Sequence, residues 1–233
     1  MSIAENIARV RANSAAAAKE AGRDVSEITL VGASKMNDAD ACRAAIAAGI
    51  DVLGENREQE MTKKLAEHAY DGAPLHFIGH LQRNKVKNVV GKVAMIESVG
   101  SLELLSAIDK QAEKLGIVQD ILLEVNIGGE ESKSGVSPEQ LWPLLDTAAA
   151  QEHIRVCGLM AIPPAAATPD ETRAFFAQMR ELLAKAVDRH YENAKMDILS
   201  MGMSGDYENA IREGATLVRI GTAIYGERDY SKK

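Results

Sequence analysis

Eight short apolar runs punctuate the chain, starting near Ile28 (ITLVGAS), Asp51 (DVLGEN), Leu75 (LHFIG), Ala94 (AMIESV), Ile121 (ILLEVN), Ile154 (IRVCGLMAI), Asp197 (DILSMG) and Leu217 (LVRIG). They are short, and apolar at adjacent positions rather than alternate ones, which is the pattern of strands covered on both faces. The stretches between them carry apolar residues at helical spacing. Several open with helix-start chemistry: Asn56 with Gln59, Ser137-Pro138 with Gln140, and Thr168-Pro169 with Glu171. In each, a capping side chain precedes a Gln or Glu that can reach back to a free backbone N–H. Ahead of the first run, Ile3, Ile7 and Val10 share one helical face and stop before Gly22, which predicts an extra N-terminal amphipathic helix ending at a glycine.

Continuous apolar strands joined by helical crossovers give a parallel sheet covered on both faces, and eight such units match a closed (β/α)8 TIM barrel. Counting strands leaves a doubly wound open sheet as the rival. No linker divides the chain, so a single α/β domain is expected over residues 1–233. The Pro- and Ala-rich stretch from Ile162 to Pro169 reads as a long loop between the sixth strand and its helix.

Composition narrows the function. The chain of 233 residues is 46% hydrophobic and 26% charged, which is the balance of a folded globular protein. Only 4% of residues are aromatic, and 27 Lys plus Arg stand against 34 Asp plus Glu, for a net charge of −7. Such a surface repels phosphate backbones and anionic lipid, so neither nucleic acid nor membrane is an expected partner. The basic run from Gln82 to Lys92 reads as the solvated face of a helix. Cys42 and Cys157 lack metal-ligand or disulfide-framework spacing, no apolar stretch is long enough to span a bilayer, and a cytoplasmic, monomeric protein is expected.

A barrel places its active site at the C-terminal ends of its strands. The polar residues there are Lys35, Asn56, His80, Ser98, Asn126, Ser204 and the segment Arg219 to Thr222. A lysine among apolar walls can lose its proton and attack a carbonyl, although most lysines at strand ends are solvated surface residues. Gly202, Gly205 and Gly221 expose backbone N–H groups beside the hydroxyls of Ser204 and Thr222, where barrels tend to bind phosphate; tight-turn glycines give the same pattern. Asn56 can cap its helix and Asn126 can satisfy loop backbone. His76 and His80 lie four apart in a strand-like run, too far to share a metal. Tyr225 reads as a packing residue.

The pieces GASK, GENREQE, HFIGHLQRNKVK, SVGS, VNIGGEESKSG, GLMAI and LSMGMSGDYENAIREGATLVRIGTAIYG follow one another along nearly the whole chain. In this order and spacing the chain resembles the pyridoxal 5'-phosphate homeostasis protein family, whose fold is a single barrel like the N-terminal domain of alanine racemase. The resemblance implies that Lys35 holds pyridoxal 5'-phosphate as a Schiff base, that Ser204, Gly205, Gly221 and Thr222 cradle its phosphate, and that Arg219 faces the pyridine nitrogen, with Asn56 also at the cofactor. A guanidinium there leaves the ring nitrogen unprotonated and weakens the ring as an electron sink. The implied function is therefore a non-catalytic cofactor carrier in transient contact with apoenzymes that use the same cofactor. A weak amino-acid racemase is the alternative. The sequence departs from the family at Arg57, Glu58 and Gly128, where an aromatic, an aliphatic residue and a serine are common.

Overall fold

The computed structural model describes residues 1–130 and 133–227. Its eight strands are all parallel and close in chain order: β1 (Thr29–Ala33), β2 (Val52–Glu55), β3 (Leu75–Phe77), β4 (Met95–Val99), β5 (Gln119–Val125), β6 (Ile154–Ala161), β7 (Ala194–Ser200) and β8 (Leu217–Ile220). Pairing of β1 with β8 runs from Thr29↔Leu217 to Gly32↔Ile220. This seam excludes the open sheet. Around the strands lie α1 (Ile3–Glu20), α2 (Ala39–Ala47), α3 (Glu58–Ala66), α4 (Leu102–Leu115), α5 (Leu141–Ala149), α6 (Pro169–Val187), α7 (Tyr207–Arg212) and the single turn α8 (Thr222–Tyr225). No helix among the described residues is long and apolar enough to cross a membrane.

Alternation along the strands divides the core in two. Leu30, Leu53, Phe77, Ile96, Ile121, Leu123 and Leu159 pack outward against the helices in one large cluster. Two small clusters, Val31 with Val52 and Leu217, and Met95 with Leu122, Cys157 and Met160, contain no helix residue and fill the barrel lumen. Above this apolar floor the lumen turns polar.

The elements follow their local chemistry. Ser2 and Glu5 form a capping box on α1, which ends at Ala21 before Gly22. Its Asn6 side chain donates to the carbonyl of Ile224 at 2.9 Å, fastening the extra helix to α8. Thr168 and Glu171 cap α6 reciprocally with Pro169 in its first turn, and Ser137 and Gln140 exchange backbone bonds just before α5. The segment 162–168 is the expected loop.

Three expectations need correction. The β3–β4 connection is a 3-10 helix over Arg83–Asn88 and not an α-helix, because its valines and asparagines are weak helix formers and Val86, Val89 and Val90 all turn inward. Helix α3 starts at Glu58 after Arg57, so Asn56 is not its cap. Asn56 stays in the extension of β2, where Gly79 lies so close that a Cβ on it would come within 2.2 Å of the Asn56 carbonyl oxygen. Strands β5 and β7 begin earlier than the apolar pattern indicates, at Gln119 and Ala194. Gln119 is tolerated because its buried amide accepts from Gly91 N–H and donates to the Val93 carbonyl. Residues 131 and 132 of the VNIGGEESKSG motif, and 228–233 of the expected domain, lie outside the described residues.

Candidate functional site

Lys35, Asn56, Ser204, Gly205, Arg219, Gly221 and Thr222 line one cavity of about 250 Å3 at the C-terminal mouth, with Ala33, Ile78, Ile162 and Met203 as its apolar wall. Its polar residues come from β1, β2, β7 and β8 and the segments that follow them. Lys35 follows β1 in a turn where Met36 adopts a positive φ of 65° and Asn37 N–H closes on the Ser34 carbonyl at 3.0 Å. Asn56 follows β2, and its buried Oδ1 has no hydrogen-bond partner among the described residues, leaving an acceptor on the cavity wall.

Beyond β7 and β8 the backbone supplies donors. The Ser204 hydroxyl oxygen accepts the N–H groups of Gly221 and Ala223, each at 3.2 Å, and so caps the first turn of α8. Gly205 stands in the open, with nothing within 4 Å of where a Cβ would lie. Two N–H groups, two hydroxyls and an unobstructed glycine make a cradle for an anionic oxygen, which can take over the acceptor role that Ser204 fills.

Arg219 reaches inward from β8 and is 4% exposed. One of its Nη atoms donates to the Ser200 hydroxyl and the other to the Ala161 carbonyl at 3.0 Å. Ser200 donates to Glu97 Oε2 at 2.6 Å, and Glu97 Oε1 meets His76 Nδ1 at 2.7 Å. Glu97 and Arg219 lie 4.0 Å apart. Burial drives the Glu97 carboxyl upward, but the hydrogen bond and charge of His76, the charge of Arg219 and the Ser200 hydroxyl together hold it below the usual carboxylate range. Burial pulls the Arg219 guanidinium below its ordinary value, opposed by the carboxylates of Glu97, Glu124 and Asp206. The chain His76–Glu97–Ser200–Arg219 spans the lumen and fixes where the guanidinium points. Sequence reading missed its first three members; the signal was a polar residue inside each of the runs LHFIG, AMIESV and DILSMG.

Three strand-end candidates lie elsewhere. His80 is exposed, Ser98 donates to the Gly79 carbonyl at 2.5 Å, and the Asn126 amide donates to the Glu130 carbonyl at 2.8 Å, which is the loop-satisfying role. His80 and Ser98 border a larger hollow of about 720 Å3 over β3 to β5. Its buried acid is Glu124, whose carboxyl burial pushes above the ordinary carboxylate range, and its described lining holds no lysine. The smaller cavity has the lysine and the donors. Tyr225 packs its hydroxyl end against β1, where a Cβ on Gly32 would approach it to 2.8 Å.

A parallel barrel with a lysine after its first strand and an anion cradle after its last two defines a class. Residues 5–229 match the alanine racemase N-terminal domain family. The alanine racemase of Clostridium difficile shares the fold at 18% identity, with a TM-score of 0.69 over 94% of this chain and 56% of that one. Nearer relatives narrow it further. The pyridoxal phosphate homeostasis protein of Aquifex aeolicus is 44% identical over 230 residues, 99% of this chain and 100% of that protein, and the Escherichia coli protein of the same name is 38% identical over 99% of both. The structure of Synechococcus elongatus PipY with PLP bound superposes with a TM-score of 0.83 at 33% identity, covering 96% of this chain and all of that one. The chain belongs to the pyridoxal phosphate homeostasis protein family.

Proposed function

We propose that this protein holds pyridoxal 5'-phosphate on Lys35 and passes it to apoenzymes, keeping the free aldehyde low, with no significant turnover of its own. The observation that carries the reading is the meeting of Lys35, the Ser204–Gly221 donor cradle and the inward Arg219 in one cavity. When bound, the cofactor supplies an aldehyde that condenses reversibly with a primary amine and a ring that can delocalise charge. Lys35 provides the amine. Ser204, Gly205, Gly221 and Thr222 bind the phosphate through hydroxyl and backbone donors, and Asn56 presents its unpartnered Oδ1 to a ring substituent. Arg219, held by Ser200 and the Ala161 carbonyl, directs a guanidinium toward the ring nitrogen, where it donates and leaves that nitrogen without a proton.

Absence of turnover follows from the same lining. Racemisation needs a base on each face of a Cα carbanion and a ring able to accept its charge. Among the described residues lining the cavity, Lys35 is the only side chain suited to act as a base, and Arg219 opposes the electron sink. The purified protein is expected to be yellow, and borohydride is expected to fix the cofactor at Lys35, with both properties lost in Lys35→Ala. Peptide mapping that finds the label on another lysine overturns the assignment. Alanine Cα hydrogen is expected to exchange with deuterated solvent no faster than with free cofactor; Lys35-dependent exchange well above that background promotes the racemase reading. The carrier is expected to run as a monomer on size exclusion.

A further inference from the structure

Helix α3 grips the backbone on both sides of Lys35. Before it, Lys64 Nζ donates to the Ser34 carbonyl at 2.8 Å. After it, the Met36 N–H donates to Glu60 Oε2, also at 2.8 Å. Glu60 and Lys64 are four apart and share one face of the helix, so a single rigid element spans the turn that carries Lys35.

The grip has a buried foundation. Lys64 pairs with Glu55 Oε1 at 2.6 Å, their side chains 7% and 0% exposed. The same carboxylate oxygen accepts the Ser34 hydroxyl at 2.5 Å and the Tyr70 hydroxyl at 3.0 Å. All of this lies in the outer layer between β2 and α3, outside the cavity that Lys35 lines. The turn it holds is not one the chain prefers, because Met36 sits in the left-handed region that disfavours a side chain. Such a conformation persists only where its surroundings over-determine it.

We infer that Glu60 and Lys64 are positioning residues that hold the turn so that Lys35 Nζ meets an aldehyde in the cavity, an inference resting on the reading of Lys35 as the cofactor lysine. The step they serve is condensation: the lysine nitrogen forms a C=N bond to the aldehyde carbon as the C=O bond breaks, and the oxygen leaves as water with the two protons of the amine. Lys35 has a long, flexible side chain, so fixing its backbone origin raises the fraction of approaches that react. The phosphate cradle lies on other strands. Loosening the turn therefore weakens covalent capture and leaves phosphate-directed binding intact.

The test compares pyridoxal 5'-phosphate with 4'-deoxypyridoxine 5'-phosphate, which keeps the ring and phosphate but has no aldehyde. Two variants are used: Glu60→Ala, whose parent side chain is 26% exposed, and the neutral pair Glu55→Gln/Lys64→Met. If the buried pair variant does not fold, Glu60→Ala alone decides. Affinity for the aldehyde, read from the visible band, is expected to fall about tenfold, while affinity for the deoxy analogue, read by calorimetry, stays within about twofold. Amide hydrogen exchange at residues 34–37 of the ligand-free variants is expected to accelerate. Wild-type affinity and exchange in the variants, or equal losses for both ligands, overturn the inference and leave the carrier reading standing. If wild type itself fixes no cofactor at Lys35, both fall.

Discussion

Glu97 has no solvent contact, yet three groups converge on its two oxygens or its charge: His76, Ser200 and Arg219. A buried carboxylate is tolerable only when its partners repay desolvation, and removing one member of such a set strands the others. Glu97→Gln is accordingly expected to lose about 3 kcal/mol at pH 7 in urea unfolding. The sign of its pH dependence follows from a folded value held below the ordinary 4.5. The carboxylate contributes stability above pH 4.5 that disappears as pH falls through the folded value, so the gap between wild type and Glu97→Gln should close on acidification below pH 4.5. A gap independent of pH would mean that Glu97 acts by shape alone. Ser204 is different in kind, being half-buried, with a hydroxyl whose oxygen accepts two N–H groups and whose hydrogen can be donated to a phosphate oxygen. One hydrogen bond to a charged phosphate is worth roughly 1–3 kcal/mol, so Ser204→Ala should weaken cofactor binding about tenfold or more in titration of the visible band.

At the scale of elements, a helix start was legible where a cap and its reciprocal partner lie close in sequence, as at Thr168 with Glu171. The α6 capping box offers a clean measurement, since Thr168 lies in the loop after β6 and outside the residues lining the cavity. Thr168→Ala should cost about 1 kcal/mol of stability in chemical denaturation and leave cofactor affinity unchanged. Loss of affinity as well would show that the loop from Ile162 transmits α6 position to the cavity. The motif at Asn56 misled because an Asx side chain before a helix serves equally as a cap or as a wall of a site, and only the neighbouring Gly79, pressed against the Asn56 backbone, decides which. A comparable decision falls at Gly158, where a Cβ would lie 1.8 Å from the Ile198 carbonyl oxygen. The shift in register between Val156 and Gly158 keeps β6 and β7 paired around that contact.

Across the whole molecule, a cofactor held as proposed would tie the first strands to the last, since Lys35 follows β1 while the cradle follows β7 and β8. Binding to the folded state alone should stabilise it by about 2.7 kcal/mol at one hundred times the dissociation constant. At that same cofactor concentration, a tenfold weaker Ser204→Ala should gain about 1.3 kcal/mol less, read as a smaller rise in unfolding midpoint. An equal rise would place the phosphate outside the Ser204–Gly221 cradle. Legible in the sequence were the alternation of strands and helices, the parallel sheet it requires and the strand ends where Lys35, Ser204, Arg219 and Thr222 stand, because periodicity and capping depend on neighbours a few residues away. Barrel closure through the β1–β8 seam, the lumen chain from His76 to Arg219 and the grip of α3 on the Lys35 turn were decided only by the tertiary structure. Each joins groups separated by 19 residues or more along the chain, as between Ser200 and Arg219, or Ser34 and Lys64, and a contact of that separation leaves no local pattern to read.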